Sequence, residues 1–260
     1  MPAPSPVIAF DIETIPDADA IRAYNLADDP DDARAIEQAR ARLKEEKGSD
    51  FLPLACQKPL VISASYRHED HFKIASFVNT GDEAKVVADF FRLIETYRPT
   101  LVSWNGSSFD LPVLNLRALV HGISAPTFWD QNSSSDIRYN NYISRYHARH
   151  TDLMDVLAMY QARGASRLDA VAKLCGFPGK LGDMDGSQVY DAYLGGRLED
   201  IRFYCETDVV NTHLTYTRYL LLTGALNRAA YDAEIALMRE KVQGFMAKED
   251  RWSEFLAAWR

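Results

Sequence analysis

The fold of this 260-residue chain follows from one short segment near its start, Val7-Ile8-Ala9-Phe10-Asp11-Ile12-Glu13. Its first four residues are apolar without alternation, which predicts a strand buried on both faces of a sheet. Side chains two positions apart in a strand point to the same face, so Asp11 and Glu13 project together at the end of this strand. Two adjacent carboxylates repel each other unless a cation lies between them, although acidic residues are also common where a strand simply reaches solvent.

The order of the elements that follow indicates an α/β fold. Strands are expected at residues 60–67, 72–78 and 100–104, and helices at residues 33–47, 84–97, 111–121, 152–163, 167–175, 189–194, 198–222 and 227–246. Strands crowd the first half and helices the second, so we expect a mixed sheet flanked by helices, with a helical C-terminal half. We place one domain at residues 1–222, with an acidic, partly helical insertion at about residues 16–59. A C-terminal helical extension at residues 223–260 is expected to pack on it.

The chain is acidic, with 29 Lys and Arg residues against 37 Asp and Glu residues and a net charge of −8. An acidic balance argues against a polyanionic partner, because Lys and Arg drive phosphate binding. Most of this negative charge lies near the start of the chain, however, because residues 1–50 hold 12 acids and 6 bases. Three scattered cysteines do not suit a disulfide framework, and no apolar run approaches the ~20 residues that span a bilayer. We therefore expect a cytoplasmic protein that binds no membrane.

A second acidic segment is Trp104-Asn105-Gly106-Ser107-Ser108-Phe109-Asp110-Leu111-Pro112. An apolar strand runs into an Asn-Gly turn, and a helix begins near Pro112, where proline is tolerated in the first turn. Asp110 thus lies at a helix N-terminus, and an ordinary N-cap is the simplest explanation for it when it is taken alone.

A third acidic segment, Tyr204-Cys205-Glu206-Thr207-Asp208, lies inside a predicted helix. Tyr204 and Asp208 are four residues apart and therefore share a face. Apolar residues beside them place this face near the protein interior. A Tyr–Asp pair at this spacing is common in helices and carries little weight by itself.

Together, the three segments resemble the motifs of the DEDD superfamily of 3′–5′ exonucleases, whose fold is ribonuclease-H-like. The matching residues are Asp11-x-Glu13, Asn105-x-x-x-Phe109-Asp110 and Tyr204-x-x-x-Asp208, in that order. Phe203 stands where a DEDDh enzyme has histidine, and Tyr204 occupies the tyrosine position, so the pattern is that of the DEDDy subtype. The resemblance covers roughly residues 7–222. It is strongest to the exonuclease domains of family B DNA polymerases and their stand-alone bacterial relatives.

This resemblance implies a metal-dependent 3′–5′ exonuclease that hydrolyses phosphodiester bonds and releases nucleoside 5′-monophosphates. A two-metal mechanism, with cations ~3.5–4 Å apart, needs only hard oxygen ligands, which suits Mg²⁺ or Mn²⁺. By resemblance, Asp11, Glu13 and Asp208 hold one cation, and Asp11 and Asp110 hold the other. Tyr204 would orient or deprotonate the attacking water. Two such cations would offset half of the net charge, so the acidity does not exclude a nucleic-acid partner.

Residues beside the carboxylates are expected to hold the substrate. In the family that the chain resembles, the segment containing Thr14 contacts the terminal nucleotide. Asn105 and Phe109 fit polar and stacking roles beside a frayed 3′ end, although a turn asparagine and a core phenylalanine explain them equally well.

A basic and aromatic surface is expected at residues 138–151, which hold three Arg, three Tyr, two His and no acid. Rings that stack on bases and cations that follow the backbone suit single-stranded nucleic acid, with a solvated loop as the alternative. The substrate-binding residues assigned here are Arg138, Arg145 and Arg149, and Arg167, Lys173 and Lys180 extend the track. Asp152 follows directly, and its position predicts the N-cap of the next helix more strongly than an auxiliary acid at the site.

We expect 3′ ends of single-stranded DNA to be the favoured substrate. The nearest alternative is a 3′–5′ exoribonuclease with the same site, and another is a non-catalytic nucleic-acid-binding accessory protein. The complete set of carboxylates argues against the accessory protein. A polymerase domain does not fit in the remaining residues, so any proofreading is expected to act in trans to a polymerase or repair complex. The insertion is unassigned: a lid, an oligomer contact and a barrier that admits only frayed single strands all fit it.

Overall fold

The computed structural model describes residues 5–182 and 184–260, so residues 1–4 of the predicted domain and Asp183 lie outside the described residues. The sheet is formed by the strands β1 (Val7–Pro16), β2 (Gln57–His68), β3 (His71–Val78), β4 (Thr100–Ser103) and β5 (His150–Asp152). They lie in the order β3-β2-β1-β4-β5. β2 is antiparallel to β1 and β3, whereas β4 is parallel to β1 and β5. The predicted mixed sheet is confirmed, and the carboxyl ends of β1, β4 and β5 lie at the same edge of it.

Helices flank the sheet, as predicted. Among the described residues they are α1 (Ala18–Ala23), α2 (Asp32–Lys47), α3 (Glu83–Tyr97), α4 (Asp110–Val120), α5 (Pro126–Trp129), α6 (Ser135–Tyr139), α7 (Leu153–Leu157), α8 (Leu168–Leu174), α9 (Val189–Leu194), α10 (Leu198–Leu222), α11 (Arg228–Phe245) and α12 (Trp252–Ala258). Within the part of the chain that the structure covers, none of these helices has both the length and the apolar character needed to cross a bilayer.

The two faces of β1 pack against different helices. Ile8, Phe10 and Ile12 belong to the core that contains the buried side chains of α3 and α4. Ala9 packs on the other face, in a cluster with Val209 of α10. Because side chains alternate along a strand, Asp11 and Glu13 share the face of Ala9 and are directed towards α10.

The segment at residues 16–59 connects β1 to β2 through α1 and α2. Its own small core holds Ile21, Ile36, Leu43 and Leu52. Arg117 of α4 ties the segment to the domain through a 2.7 Å ion pair with Asp17, and the same guanidinium contacts Glu83 of α3. The side chains of Arg117, Asp17 and Glu83 are only 6%, 8% and 9% exposed. The segment is therefore fixed to the helical layer by a buried ion pair.

The C-terminal helices α11 and α12 pack beside α10 and β3. Met238 and Val242 of α11 and Phe255 of α12 share one hydrophobic cluster with Phe72 and Phe203. The division of the chain at residue 222 stays a prediction.

The structure differs from the prediction at residues 150–163. The predicted helix at 152–163 is wrong, because β5 occupies His150–Asp152 and α7 ends at Leu157. Met159 and Tyr160 then have φ angles of 52° and 59°. Two successive residues in the left-handed region cannot continue an α-helix.

Candidate active site

Four carboxylates from three elements meet at the carboxyl end of β1. Asp11 and Glu13 come from β1, Asp110 from the first turn of α4, and Asp208 from α10. Burial raises the pKa of each of the four, and the charges of Asp110, Glu13 and Asp208 raise that of Asp11 further. The structure therefore brings together the four acids that the sequence assigned to metal binding.

Asp11 and Glu13 form the centre of this group. One ligand atom from each lies within 4.8 Å of the other and of the sulfur of Cys205 on α10. Cys205 Sγ is 3.5 Å from Asp11 Oδ2. Burial, followed by the charge of Asp208, raises the pKa of Glu13 well above its ordinary value. Two desolvated carboxylates at this distance are a natural ligand pair for a hard cation.

Asp110 is bonded to β1 and does not act as an N-cap. Its Oδ1 accepts the backbone N–H of Ile12 at 3.1 Å. β4 pairs with β1 only as far as Ala9, so Ile12 lies beyond the end of β4. The Asp110 carboxylate accepts the Ile12 N–H, which has no partner in β4. The N-cap explanation is wrong, because Phe109 occupies that position and makes no side-chain cap. Burial raises the pKa of Asp110 to about 7, although its own N–H and that of Ile12 oppose the shift.

Tyr204 and Asp208 lie one turn apart on the same face of α10, and the two side chains shift each other's pKa. Burial, followed by the charges of Asp208 and Glu13, raises the pKa of Tyr204 far above neutrality. Burial raises the pKa of Asp208 to about 6 against the opposing effects of Lys180 and of Tyr204. The Tyr204 hydroxyl therefore keeps its proton at neutral pH.

Lys180 faces the same group and was not predicted there. Its Nζ lies 4.7 Å from the centroid of the Tyr204 ring. Its charge opposes the burial that raises the pKa values of Glu13 and Asp208. The sequence placed Lys180 only on a peripheral basic track, whereas the structure puts it against the carboxylates.

Hydrogen bonds to the neighbouring backbone fix the position of Lys180. Asp169 Oδ1 accepts its N–H at 2.7 Å, and Gly179 exchanges two bonds of 2.9 Å with the buried amide of Asn211 on α10. Gly179 has a φ of 68°, and a Cβ there would lie 2.6 Å from Asp169 Oδ1. Gly179 and Gly182, which flank Lys180 and Leu181, are the sequence feature from which this turn could have been predicted.

Asp152 shapes the loop that carries the second motif. Its two carboxylate oxygens accept the N–H groups of Asn105 and Ser107, each at 2.9 Å, and its side chain also caps α7, as predicted. Asn105 has a φ of 69°. A Cβ on Gly106 would lie 2.3 Å from Ser103 Oγ, so only glycine fits this approach. The Asn-Gly turn therefore has a steric basis and a fixed anchor.

A cleft of about 400 Å³ opens beside Glu13 and contains the three residues assigned to the terminal nucleotide, Thr14, Asn105 and Phe109. Thr14 Oγ1 donates a 3.0 Å hydrogen bond to Gln57 on β2. These predicted substrate-binding residues thus share one opening with Glu13.

Arg145 belongs to an aromatic platform beside α7. Its guanidinium pairs with Asp155 at 2.6 Å and lies 5.9 Å and 5.4 Å from the ring centroids of Tyr146 and Tyr160. Tyr146 is 70% exposed. Asp155, the partner of Arg145, lies in the first turn of α7, and Asp152 both caps that helix and anchors the loop of the second motif.

Arg138 and Arg149 lie elsewhere. Arg149 precedes β5 and stacks on Tyr142, whose hydroxyl donates to the carbonyl of Pro99 just before β4. This is the amino-terminal edge of the parallel strands, whereas the carboxylates lie at the carboxyl edge. Arg138 is exposed on α6. The contacts within the described residues connect neither arginine to the four acids, because β5 separates this segment from the site.

Comparison with known proteins identifies relatives of this domain. Residues 49–259 match a family described as "Predicted 3'-5' exonuclease related to the exonuclease domain of PolB". A DNA polymerase of Archaeoglobus fulgidus is 28% identical over 160 residues, which are 61% of this chain and 20% of the polymerase. The family B DNA polymerase of the hyperthermophilic archaeon Pyrobaculum calidifontis is similar in structure, with a TM-score of 0.52 and 19% sequence identity. That similarity covers 85% of this chain and 25% of the polymerase chain.

The similarity in structure confirms the ribonuclease-H-like fold that the three motifs implied. The chain spans only a fifth to a quarter of the length of these polymerases. The residues matched to the family include Asp110, Lys180, Tyr204 and Asp208. Asp11 and Glu13 precede the matched residues, and β1 places them beside the other two acids. This chain therefore belongs to the family of predicted 3′–5′ exonucleases related to the exonuclease domain of PolB.

Proposed function

We propose that this chain is a metal-dependent 3′–5′ exonuclease that cleaves the terminal phosphodiester bond of nucleic acid and releases nucleoside 5′-monophosphates. The observation that carries the proposal is the group of four desolvated carboxylates, of which Glu13 and Asp110 are buried and Asp11 and Asp208 half-buried, each with a raised pKa. Such a group is stabilised by bound cations, because they remove both the desolvation cost and the mutual repulsion of the charges. Membership of the exonuclease-related family supports the same reaction class.

Two divalent cations, Mg²⁺ or Mn²⁺, suit this donor set because it consists of carboxylate oxygens. Asp11, Glu13 and Asp208 would hold one, and Asp11 and Asp110 the other. When bound, the cations supply an activated water and charge stabilisation at the phosphate.

Tyr204 would orient the attacking water rather than remove its proton. Burial and the neighbouring carboxylates raise the pKa of Tyr204, so the side chain is a poor base at neutral pH. A protonated hydroxyl retains lone pairs that can accept a hydrogen bond from a water molecule. Of the two roles predicted from the sequence, the raised pKa favours orientation.

Lys180 would stabilise charge that develops on the phosphate. It is the cation that acts on Glu13 and Asp208, and its backbone is fixed by Asp169. A preorganised positive charge in a partly desolvated site lowers the energy of an anionic transition state.

Single-stranded DNA is the proposed substrate. Thr14, Asn105 and Phe109 would contact the terminal nucleotide in the cleft beside Glu13. The rings beside Arg145 would bind the preceding nucleotides, since stacking platforms are typical of single-strand binding. The assignment of Arg138 and Arg149 stays a prediction that the described contacts do not support.

The setting of the reaction is also part of the proposal. The similarity to DNA polymerases favours a role in DNA synthesis or repair, and we propose action in trans to such a complex. The cytoplasm is the proposed location, and the free thiols of Cys56, Cys175 and Cys205 suit its reducing conditions.

The proposal is tested with 5′-labelled DNA and RNA oligonucleotides of the same sequence, incubated with Mg²⁺, with Mn²⁺ or with EDTA. We expect a ladder that shortens from the 3′ end, faster for DNA, and that is absent in EDTA. Asp11→Asn should abolish the ladder. The matched control is Asp70→Asn, whose side chain is 80% exposed in the turn between β2 and β3, and it should retain full activity.

Each alternative has its own outcome in this experiment. Faster shortening of RNA would favour the exoribonuclease. Binding of either strand without shortening, at high protein concentration with Mn²⁺, would favour the accessory protein and contradict the proposed enzyme.

A further inference from the structure

The cleft beside Glu13 has a second wall that comes from the segment at residues 16–59. Glu13, Thr14, Asn105 and Phe109 form one side of it. The residues contributed by the segment are Pro16, Arg40, Asp50, Phe51, Leu52 and Gln57. Its volume of about 400 Å³ is within the range of sites that bind one small molecule, of which a single nucleotide is an example. The insertion therefore takes part in the opening that leads to the carboxylates.

Phe51 is the most exposed large apolar side chain on this wall. It is 60% exposed, and its ring centroid lies 6.0 Å from that of Phe109 at an angle of 55°. A base stacked between two rings needs them parallel and about 7 Å apart, twice the 3.4 Å spacing of stacked bases. The two rings are thus too close and too inclined to hold a base between them. They form one continuous apolar surface, and Phe51 presents its free area to the cleft.

The position of Phe51 is fixed by the residues that follow and precede it. Leu52 is 2% exposed in the core of the segment, and its carbonyl accepts a 3.5 Å bond from Gln57, which also bonds to Thr14. The N–H of Phe51 donates to Ser49 at 3.3 Å. An exposed ring on an anchored backbone binds a ligand without first losing backbone freedom.

Charges on this wall are mixed. Arg40 of α2 lines the cleft and lies 5.2 Å from the centroid of the Tyr190 ring, and Asp50 lines it as well. The two charges oppose each other, so the segment does not bind phosphate by charge alone. The feature of this wall that can bind a ligand is therefore its exposed aromatic ring, Phe51.

We propose that the segment at residues 16–59 supplies the stacking surface for the base of the 3′-terminal nucleotide, with Phe51 as the ring that contacts it. This inference rests on the proposed function and adds a specificity: the site recognises the terminal nucleotide through the face of its base. Stacking on a ring is tolerant of sequence, because every base has a π face. The four bases are therefore bound alike, and an abasic end is bound weakly.

Two single-stranded DNA substrates test the inference, one ending in a normal nucleotide and one in an abasic tetrahydrofuran residue. For the unmodified protein, we expect kcat/KM to be about tenfold lower for the abasic end, the usual size of one stacking contact. Phe51→Ala should lower kcat/KM about tenfold for the normal end and leave the abasic end unchanged. Phe51→Trp should restore the preference for a base. Tyr24→Ala is the matched control, because Tyr24 is a 53% exposed ring in the same segment outside the cleft.

A binding measurement separates this inference from the proposed function. An oligonucleotide with 2-aminopurine at its 3′ end is titrated with protein in EDTA, where no hydrolysis is expected. Quenching of the probe that is lost in Phe51→Ala supports stacking even in a chain that cleaves nothing. Equal quenching by Phe51→Ala, or an unchanged preference for the base in a chain that cleaves DNA, overturns the inference alone. Absence of quenching together with intact labelled strands overturns both.

Discussion

Two groups of buried carboxylates in this protein have opposite electrostatic character. Asp17 and Glu83 surround the guanidinium of Arg117, at the junction of the insertion with α3 and α4. Asp11, Glu13, Asp110 and Asp208 meet at the end of β1, where the charge of Lys180 acts on Glu13 and Asp208. Burial would raise the pKa of Asp17, but Lys58, the N–H of Ala20 and Arg117 outweigh burial and lower it. The pKa of Asp110, in contrast, is raised to about 7.

The difference shows how a structural acid is distinguished from a functional one. Burial is common to both groups, so burial alone does not distinguish a structural acid from a functional one. The protein neutralises the first group with its own side chains, and that group holds an insertion in place. The protein's own side chains do not balance the negative charge of the second group. This excess charge destabilises the folded protein, and a bound cation would stabilise it.

The largest effect is expected when the cation, Arg117, is removed from the neutralised group. In Arg117→Met, two buried carboxylates lose their partner, and we expect the free energy of unfolding to fall by about 3–5 kcal/mol. Urea unfolding followed by circular dichroism measures the change. The triple variant Asp17→Asn, Glu83→Gln, Arg117→Met removes the charges together and should recover most of the loss. A single variant as stable as the unmodified protein would show that Arg117 is not needed there.

A second prediction concerns the tyrosine within the uncompensated group. Tyr204→Phe removes only the hydroxyl that would orient the water, so kcat should fall about a hundredfold while KM changes little. Calorimetric titration with Mn²⁺ should show unchanged affinity, because the carboxylates remain. Unaltered kcat would exclude Tyr204 from the reaction.

A third prediction concerns Lys180, whose charge acts on Glu13 and Asp208 in this group. Lys180→Met should lower kcat about tenfold, less than for a fully desolvated donor because Lys180 is partly exposed to solvent. The affinity for Mn²⁺ should rise, since a positive charge that competes with the metal is gone. Lys173→Met is the control, because Lys173 pairs with Asp169 and is 52% exposed. Equal behaviour of the two variants would contradict the role given to Lys180.

The smallest expected effect is on stability as a function of pH without metal. Asp110 has a pKa of about 7 in the folded protein against about 3.9 in the unfolded chain, so the folded state binds more protons between these values. The contribution of Asp110 to stability is therefore lost as pH rises through this window, by about 1 kcal/mol between pH 6.5 and 8. The buried His150 and His213, with pKa values lowered to about 4 and 3, stay neutral in the folded protein but take up protons in the unfolded chain near pH 6.5. Together they raise stability by about 0.8 kcal/mol over the same window, so the effect of Asp110 is measured as the difference between the unmodified protein and Asp110→Asn.

Thermal unfolding in EDTA at several pH values measures this effect. Saturating Mg²⁺ should remove the loss, because bound cations keep the carboxylates ionised. In EDTA, the stability of the unmodified protein relative to Asp110→Asn should fall by about 1 kcal/mol from pH 6.5 to 8. A difference between the two proteins that stays constant over this range would show that Asp110 is not protonated as described.

Local pattern was enough to predict most elements, and the resemblance of three short motifs to a known family added the four acids. The long helix at residues 198–222 and the strand that begins at Val7 were predicted because their hydrophobic patterns are continuous. Asp11 and Glu13 were expected on one face because alternation is a local property of a strand. β5 was missed because three residues give no pattern, and its existence depends on pairing with β4.

The parts of the site that were not predicted depend on contacts between distant residues. Lys180 reaches the carboxylates because Asn211, 32 residues later, binds the backbone of Gly179. Phe51 enters the cleft because the insertion folds back beside Phe109. Arg149 was assigned to the substrate from its composition alone, and the direction of β5 places it at the opposite edge of the sheet.

The bond between Ile12 and Asp110 spans 98 residues, and the contact between Asp11 and Cys205 spans 194. Contacts of this sequence separation form late in folding, because the entropy of closing long loops must be overcome first. During synthesis, a nascent chain that ends before α10 holds three of the four carboxylates without Asp208 or Tyr204. Such a chain lacks two of the residues assigned to the proposed reaction, so the activity proposed here requires α10 to be docked on β1.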